Sequence, residues 1–122
     1  MIKSKYFSEA EMQRCTPPCS LQDMSQRTMT KADKLRELCG FPLICICAYR
    51  SREWDLAKGR SGNGAHPHRH GLDFRCNDSA KRFAIITNAP KAGFPRIGIS
   101  KNFIHVDDDE TLPQNVMWHY YD

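Results

Sequence analysis

The sequence predicts an α+β fold in which N-terminal helices pack on a mostly antiparallel sheet. Three observations carry that prediction. Apolar residues recur at helical spacing early in the chain, whereas short β-runs dominate its second half. The composition, 40% hydrophobic and 26% charged, is that of an ordinary globular core rather than a disordered or collagen-like chain. The length, 122 residues, is one domain's worth, enough to bury about two thirds of the unfolded surface without disulfide support. A single domain over residues 1–122 is therefore expected.

The elements follow in order. Ser8-Glu9-Ala10-Glu11 has the spacing of a helix start, with Ser8 as N-cap and Glu11 at the capping-box position, and that helix must stop before Pro17-Pro18. Over residues 20–39, Leu21, Met24, Met29, Ala32, Leu35 and Leu38 recur mostly at helical spacing, and Gly40 supplies a C-cap. This predicts the long helix of the domain. Residues 42–49 are apolar throughout, the pattern of a strand covered on both faces, in which Cys45 and Cys47 read as small apolar residues. A short helix over 53–57 leads into a loop with Gly59, Gly62 and Gly64. Gly71–Arg75 alternates, with Leu72 and Phe74 on one face and Asp73 on the other. Asn77 or Asp78 can cap a helix through Ala80, Phe83, Ala84 and Ile86 that ends before Pro90 and Gly93. Residues 96–100 and 103–107 form two β-runs at hairpin spacing, and residues 116–121 can add an edge strand.

Charge and cysteines narrow the function. Eighteen Lys and Arg against 14 Asp and Glu give a formal net charge of +4. That mild basicity suits an acidic target such as a cell-wall polymer or a peptide carboxylate, and it does not single out nucleic acid. No apolar run approaches the ~18 residues of a membrane span, and the opening Met1-Ile2-Lys3-Ser4-Lys5 lacks the apolar stretch of a signal peptide. Cytoplasmic synthesis without a membrane partner is the expectation. Six cysteines in such a chain argue against an obligatory disulfide framework. Cys15 and Cys19, separated by Thr-Pro-Pro, make half of a zinc motif, and no second pair at exposed spacing completes it.

The chemistry concentrates in Gly64-Ala65-His66-Pro67-His68-Arg69-His70-Gly71-Leu72-Asp73, which holds three of the five histidines and an aspartate on a strand. Period-two geometry puts Phe103, His105 and Asp107 on one face of a later strand. If the strands of Asp73 and His105 are neighbours, a His-Asp-His set converges. Two imidazole nitrogens and a carboxylate oxygen suit zinc, and three protein ligands leave a fourth position for water. On spacing alone, a solvated histidine loop and a satisfied core histidine remain the alternative.

Residues 7–118 resemble a known family. Its pattern runs Tyr-Arg-Ser after an apolar strand, then Ser-x-His-x-x-Gly-x-Ala-x-Asp, then a hydrophobic-His-hydrophobic-Asp strand and a late Trp. This chain has Tyr49-Arg50-Ser51, then His66 and Asp73 at the same separation, then Phe103-Ile104-His105-Val106-Asp107, then Trp118. The resemblance is to the small zinc peptidases that include D-alanyl-D-alanine carboxypeptidases, D-Ala-D-Ala dipeptidases and phage L-alanyl-D-glutamate endopeptidases, which share a fold with the hedgehog signalling domain. Phe7-Ser8-Glu9-Ala10-Glu11-Met12 with Cys15 is similar to the phage-type branch.

The resemblance implies zinc on His66, Asp73 and His105, with Arg50 holding a substrate carboxylate or peptide carbonyl through its planar fork. It implies a monomeric hydrolase of peptidoglycan stem or cross-link peptides, made in an infected cell or carried on a virion and acting on the wall. Gly64, Arg69 and Gly71 depart from the pattern, and an alternative register makes His68 a reserve ligand. Where many relatives carry an acid three residues before the last ligand, this chain has Asn102. Asp107 is then the general base or a carboxylate that orients His105, with His68, His70 and Asp108 as further candidates for the base. Two rivals keep distinct expectations: a non-catalytic wall-binding module that retains zinc, and a nucleic-acid-binding zinc module built on Cys15 and Cys19.

Overall fold

The computed structural model describes residues 1–120. Helices α1 (Glu9–Gln13) and α2 (Gln26–Cys39) precede strand β1 (Cys45–Cys47), and α3 (Arg52–Ala57) follows it. Then come β2 (Gly71–Arg75), α4 (Ser79–Ala92), β3 (Arg96–Ile99), β4 (Phe103–Asp107) and β5 (Val116–His119). The five strands form one sheet in the order β1-β2-β4-β3-β5. Every pairing is antiparallel except that of β5, which lies parallel to β3. The predicted α+β class holds, with a mixed sheet.

The Ser8 hydroxyl accepts from the Glu11 amide at 3.1 Å and starts α1. Glu11 does not return to the cap: its Oε2 accepts from the Cys45 amide at 3.0 Å and ties the helix to β1. The single helix expected over 20–39 is instead a 3-10 turn, Leu21–Asp23, followed by α2. Two serines explain the break, because Ser20 closes a capping box with Asp23 and Ser25 caps α2 afresh. Gly40 ends α2 at φ +74°, as expected.

The strand expected over 42–49 is reduced to three residues and lies at the sheet edge, not in its centre. It pairs with β2 alone, the register slips between Cys45 and Cys47, and Ile44 is half exposed. Its outer face is therefore open, contrary to the apolar reading. Helix α4 starts at Asp78 and runs through Pro90 to Gly93. A proline in the last turn forfeits only its own bond to the preceding turn, so the expected stop does not occur. The core face of α4 is Ile85, Ala89 and Ala92, while Phe83 is exposed. Of residues 116–121, Val116–His119 form the edge strand; Tyr121 lies outside the described residues.

Helix α2 packs on α4, and α4 covers β3 and β4. Leu72 and Phe74 of β2, with Ile104 and Val106 of β4, are buried in this core, each contributing roughly 1.5–3 kcal/mol. The strand period then sends Asp73, His105 and Asp107 to the opposite face. Among the described residues no helix is long and apolar enough to cross a membrane.

Candidate metal centre

Each strand of the sheet contributes one residue to a row that crosses it. Cys47 is in register with Asp73, Asp73 with His105, His105 with Gly98, and Gly98 with Trp118. Gly98 has a steric purpose: a Cβ there would lie 2.8 Å from the Trp118 ring. The indole thus leans across β3 and meets the His105 ring at a centroid distance of 5.5 Å. Gly71 does the same for the histidine loop, since a Cβ would come within 3.1 Å of the His66 amide.

His66 descends from that loop onto the row. Its Nδ1 faces the Ala48 carbonyl at 2.5 Å. A carbonyl only accepts, so Nδ1 carries a proton, and Nε2 is the nitrogen left to take a second proton or a metal. Nε2 faces Asp73 Oδ1 at 3.3 Å. His105 is fixed in the mirrored sense: Nε2 lies 2.6 Å from Asp107 Oδ2, and Nδ1 lies 2.8 Å from the same Asp73 oxygen. Two ring nitrogens and a carboxylate oxygen thus converge, with both outer nitrogens already committed.

Three electron-rich atoms meeting in a buried place need positive charge among them, either protons or a metal ion. Burial alone pushes both imidazoles down. Asp73 overrides it for His66, and Asp107 together with Asp73 overrides it for His105, so both histidines are pushed up to about 9. Asp73 is buried too, yet the two rings hold its carboxyl well below the usual range. Imidazole nitrogen and carboxylate oxygen are donor types that zinc takes, and histidines that bind it commonly give their other N–H to a carbonyl or carboxylate, as the outer nitrogens of His66 and His105 are placed to do.

A second donor combination overlaps it. Cys47, His66 and Asp73 bring possible ligand atoms within 4.8 Å of one another. Cys47 Sγ approaches His66 at Nδ1, 3.8 Å away, the nitrogen already given to Ala48. The sulfur thus meets His66 at the nitrogen turned to Ala48 while staying within 4.8 Å of the Asp73 carboxylate.

Asp107 shows no exposed surface, and both its oxygens are engaged. Oδ2 meets His105, and Oδ1 accepts from Arg96 Nε at 2.8 Å and from the Asp109 amide at 3.1 Å. Arg50 lines a cavity of about 360 Å³ together with His66, Asp73, His105, Arg60 and Trp118. Its Nε forms an ion pair with the buried Asp55 at 2.8 Å, outside hydrogen-bond alignment, and its Nη1 donates to Cys47 Sγ at 3.6 Å.

The other histidines of the loop are struts. His68 Nδ1 meets Asp109 Oδ2 at 2.7 Å, and His70 Nδ1 stands 3.0 Å from Thr28 Oγ1 and 3.2 Å from Asp108 Oδ1. Asp108 also pairs with Arg27 and Lys31. The loop carrying His66 is thus buttoned to the run Asp107-Asp108-Asp109. Arg69, where the family pattern has glycine, takes φ +73°, the left-handed region that glycine enters freely. Asn102 sits exposed on the hairpin between β3 and β4, where its carbonyl accepts from the Cys76 amide at 2.8 Å.

Cys15 and Cys19 are buried in the core. Cys15 Sγ lies 3.7 Å from Cys45 Sγ, and burial pushes the Cys19 thiol up to about 11. Cys19 is thereby kept a neutral core thiol. Sequence reasoning missed Cys47, Asp55, Arg96 and Gly98. Two had a signal: a lone glycine within a strand marks a close approach, and hairpin pairing puts Arg96 opposite Asp107.

An α+β domain that aims two imidazoles and a carboxylate into a cavity beside an arginine has the construction of a single-metal hydrolase. The sequence profile described as Peptidase M15 matches residues 5–107, and the chain belongs to that family, whose members are zinc-dependent metallopeptidases. Trp118 lies beyond the matched stretch. No curated protein matches the chain.

Proposed function

We propose that residues 1–122 act as a single zinc peptidase domain, working as a monomer, that hydrolyses an amide bond in the stem or cross-link peptides of bacterial peptidoglycan. The observation that carries the reading is the placement of Asp73 Oδ1 between His66 Nε2 and His105 Nδ1, with the outer nitrogens held by Ala48 and Asp107. His66, Asp73 and His105 would hold zinc, which when bound polarises a scissile carbonyl and acidifies water. Arg50, steadied by Asp55, binds a substrate carboxylate or carbonyl in the same cavity. Asp107 fixes the tautomer and angle of His105. Its complete burial and occupied oxygens support that role over carrying protons. Action on the wall, in an endolysin or virion setting, follows from the motif resemblance.

A second reading, a zinc-retaining module of the same fold that binds without cutting, is favoured by one observation: an exposed amide, Asn102, stands where relatives carry an acid. One experiment separates them. Zinc content and digestion of purified sacculi are measured on wild type and on His66→Ala, Asp73→Ala and His105→Ala. Zinc in the wild type, lost in all three variants together with peptide release, supports the peptidase. Bound zinc without digestion moves the reading to the module, and a zinc-free wild type overturns both.

A further inference from the structure

A second cavity, about 680 Å³, shares no lining residue with the metal site. It lies along the open outer face of β1 and is rimmed by Arg14 from the end of α1, Arg36 from α2 and Arg75 from β2. Among the described residues the Arg14 and Arg75 side chains make no hydrogen bond or ion pair, and Arg36 rests 4.9 Å from the Tyr6 ring centre. The acid that lines the groove, Glu11, is committed through Oε2 to the Cys45 amide. Its apolar wall is Pro42, Leu43 and the half-exposed Ile44.

We propose that this groove is a second, non-catalytic binding site for an acidic peptide with small apolar side chains. The argument is one of complementarity. Three guanidinium groups face a single carboxylate, one oxygen of which is bound to the Cys45 amide, so the groove carries excess positive charge, and guanidinium forks match carboxylates in pairs. The apolar wall sets the second requirement. A sugar–phosphate polymer supplies charge but no methyl groups, whereas a peptide of alanine and carboxylate-bearing residues supplies both. Peptidoglycan stem peptides have that chemistry, and naming them as the source rests on the function proposed above. The groove then grips one wall peptide while the metal site cuts another.

The test is sedimentation of the zinc-loaded protein with purified sacculi, on ice and briefly enough that turnover is small. Wild type is compared with the triple variant Arg14→Gln, Arg36→Gln, Arg75→Gln, and with Arg75→Gln alone as the gentler change. Thermal unfolding checks that each variant is folded. Apparent affinity should fall about tenfold or more in the triple variant, because each lost charge-assisted contact contributes at that scale. Hydrolysis of a soluble stem peptide should stay near wild type. Sacculi stripped of teichoic acid should bind wild type as well as unstripped ones. Equal sedimentation of wild type and folded variants overturns the groove, and so does wild-type binding that disappears with the teichoic acid, which would assign it to a phosphate polymer. Arginine-dependent sedimentation by a protein that hydrolyses nothing would sink the peptidase reading and leave the groove standing.

Discussion

Replacing Asp107 by alanine removes a wholly buried carboxylate that meets His105, Arg96 and the Asp109 amide at 2.6, 2.8 and 3.1 Å. It leaves the largely covered Arg96 Nε and the His105 ring N–H without that acceptor, although Arg96 Nη1 keeps the Pro113 carbonyl. Breaking a buried pair from one side costs about 3–5 kcal/mol. For a chain of 122 residues, an unfolding entropy of ~2.1 cal/mol/K per residue turns that loss into a fall of roughly 12–20 °C in the unfolding midpoint. With its outer nitrogen released, His105 no longer presents Nδ1 at a fixed angle, and zinc affinity should fall about 10–100-fold. The assays are thermal unfolding of the metal-free chain and zinc competition against a chelator. Asp107→Asn keeps an acceptor for His105 and should recover part of both losses. If Asp107→Ala keeps its midpoint and its zinc but loses kcat at unchanged KM, the residue carries protons and the reasoning from burial fails.

Three further outcomes are expected. Gly98→Ala should push the Trp118 indole off β3, shift its fluorescence, destabilise by about 1–3 kcal/mol and weaken substrate binding while zinc is retained. Unchanged emission would show that the ring does not need the gap. In the metal-free chain His66 and His105 have pKa values raised from 6.5 to about 9. Their pairing therefore stabilises the fold fully below pH 6.5 and is lost as pH rises through about 9, so stability should decline across that window while zinc affinity climbs. A flat stability profile there would contradict the geometry. Cys47→Ser should keep metal stoichiometry, and the cobalt-substituted wild type should lack thiolate-to-metal charge-transfer absorption, because Cys47 meets His66 on the nitrogen bound to Ala48. A band abolished by the substitution would add the sulfur to the ligand set.

Much of the site could be read in the sequence because strands have a period of two. Asp73 opposite Leu72 and Phe74, and His105 beside Asp107, follow from alternation alone. Their meeting did not, because β2 and β4 are separated in sequence by α4 and β3 and become neighbours only in the assembled sheet. Cys47 was hidden for a different reason. Residues 42–49 are apolar without alternation, so nothing in them distinguishes a core thiol from one set beside His66. The histidine loop resembled a cluster of ligands, yet His68 and His70 answer to Asp109 and Asp108 some forty positions away. Likewise the break before α2 rests on Ser25, a helix signal masked by the apolar spacing on either side of it.

The row from Cys47 to Trp118 also limits how the sequence can drift. One residue gained or lost inside β4 would turn His105 into the helix-covered layer and bring Ile104 or Val106 out in its place. The same slip in β3 would remove Gly98 from beneath the indole. Length changes should therefore accumulate in the exposed stretch 58–61, ahead of the buttoned histidines, and be purged from the strands even where the hydrophobic core could absorb them.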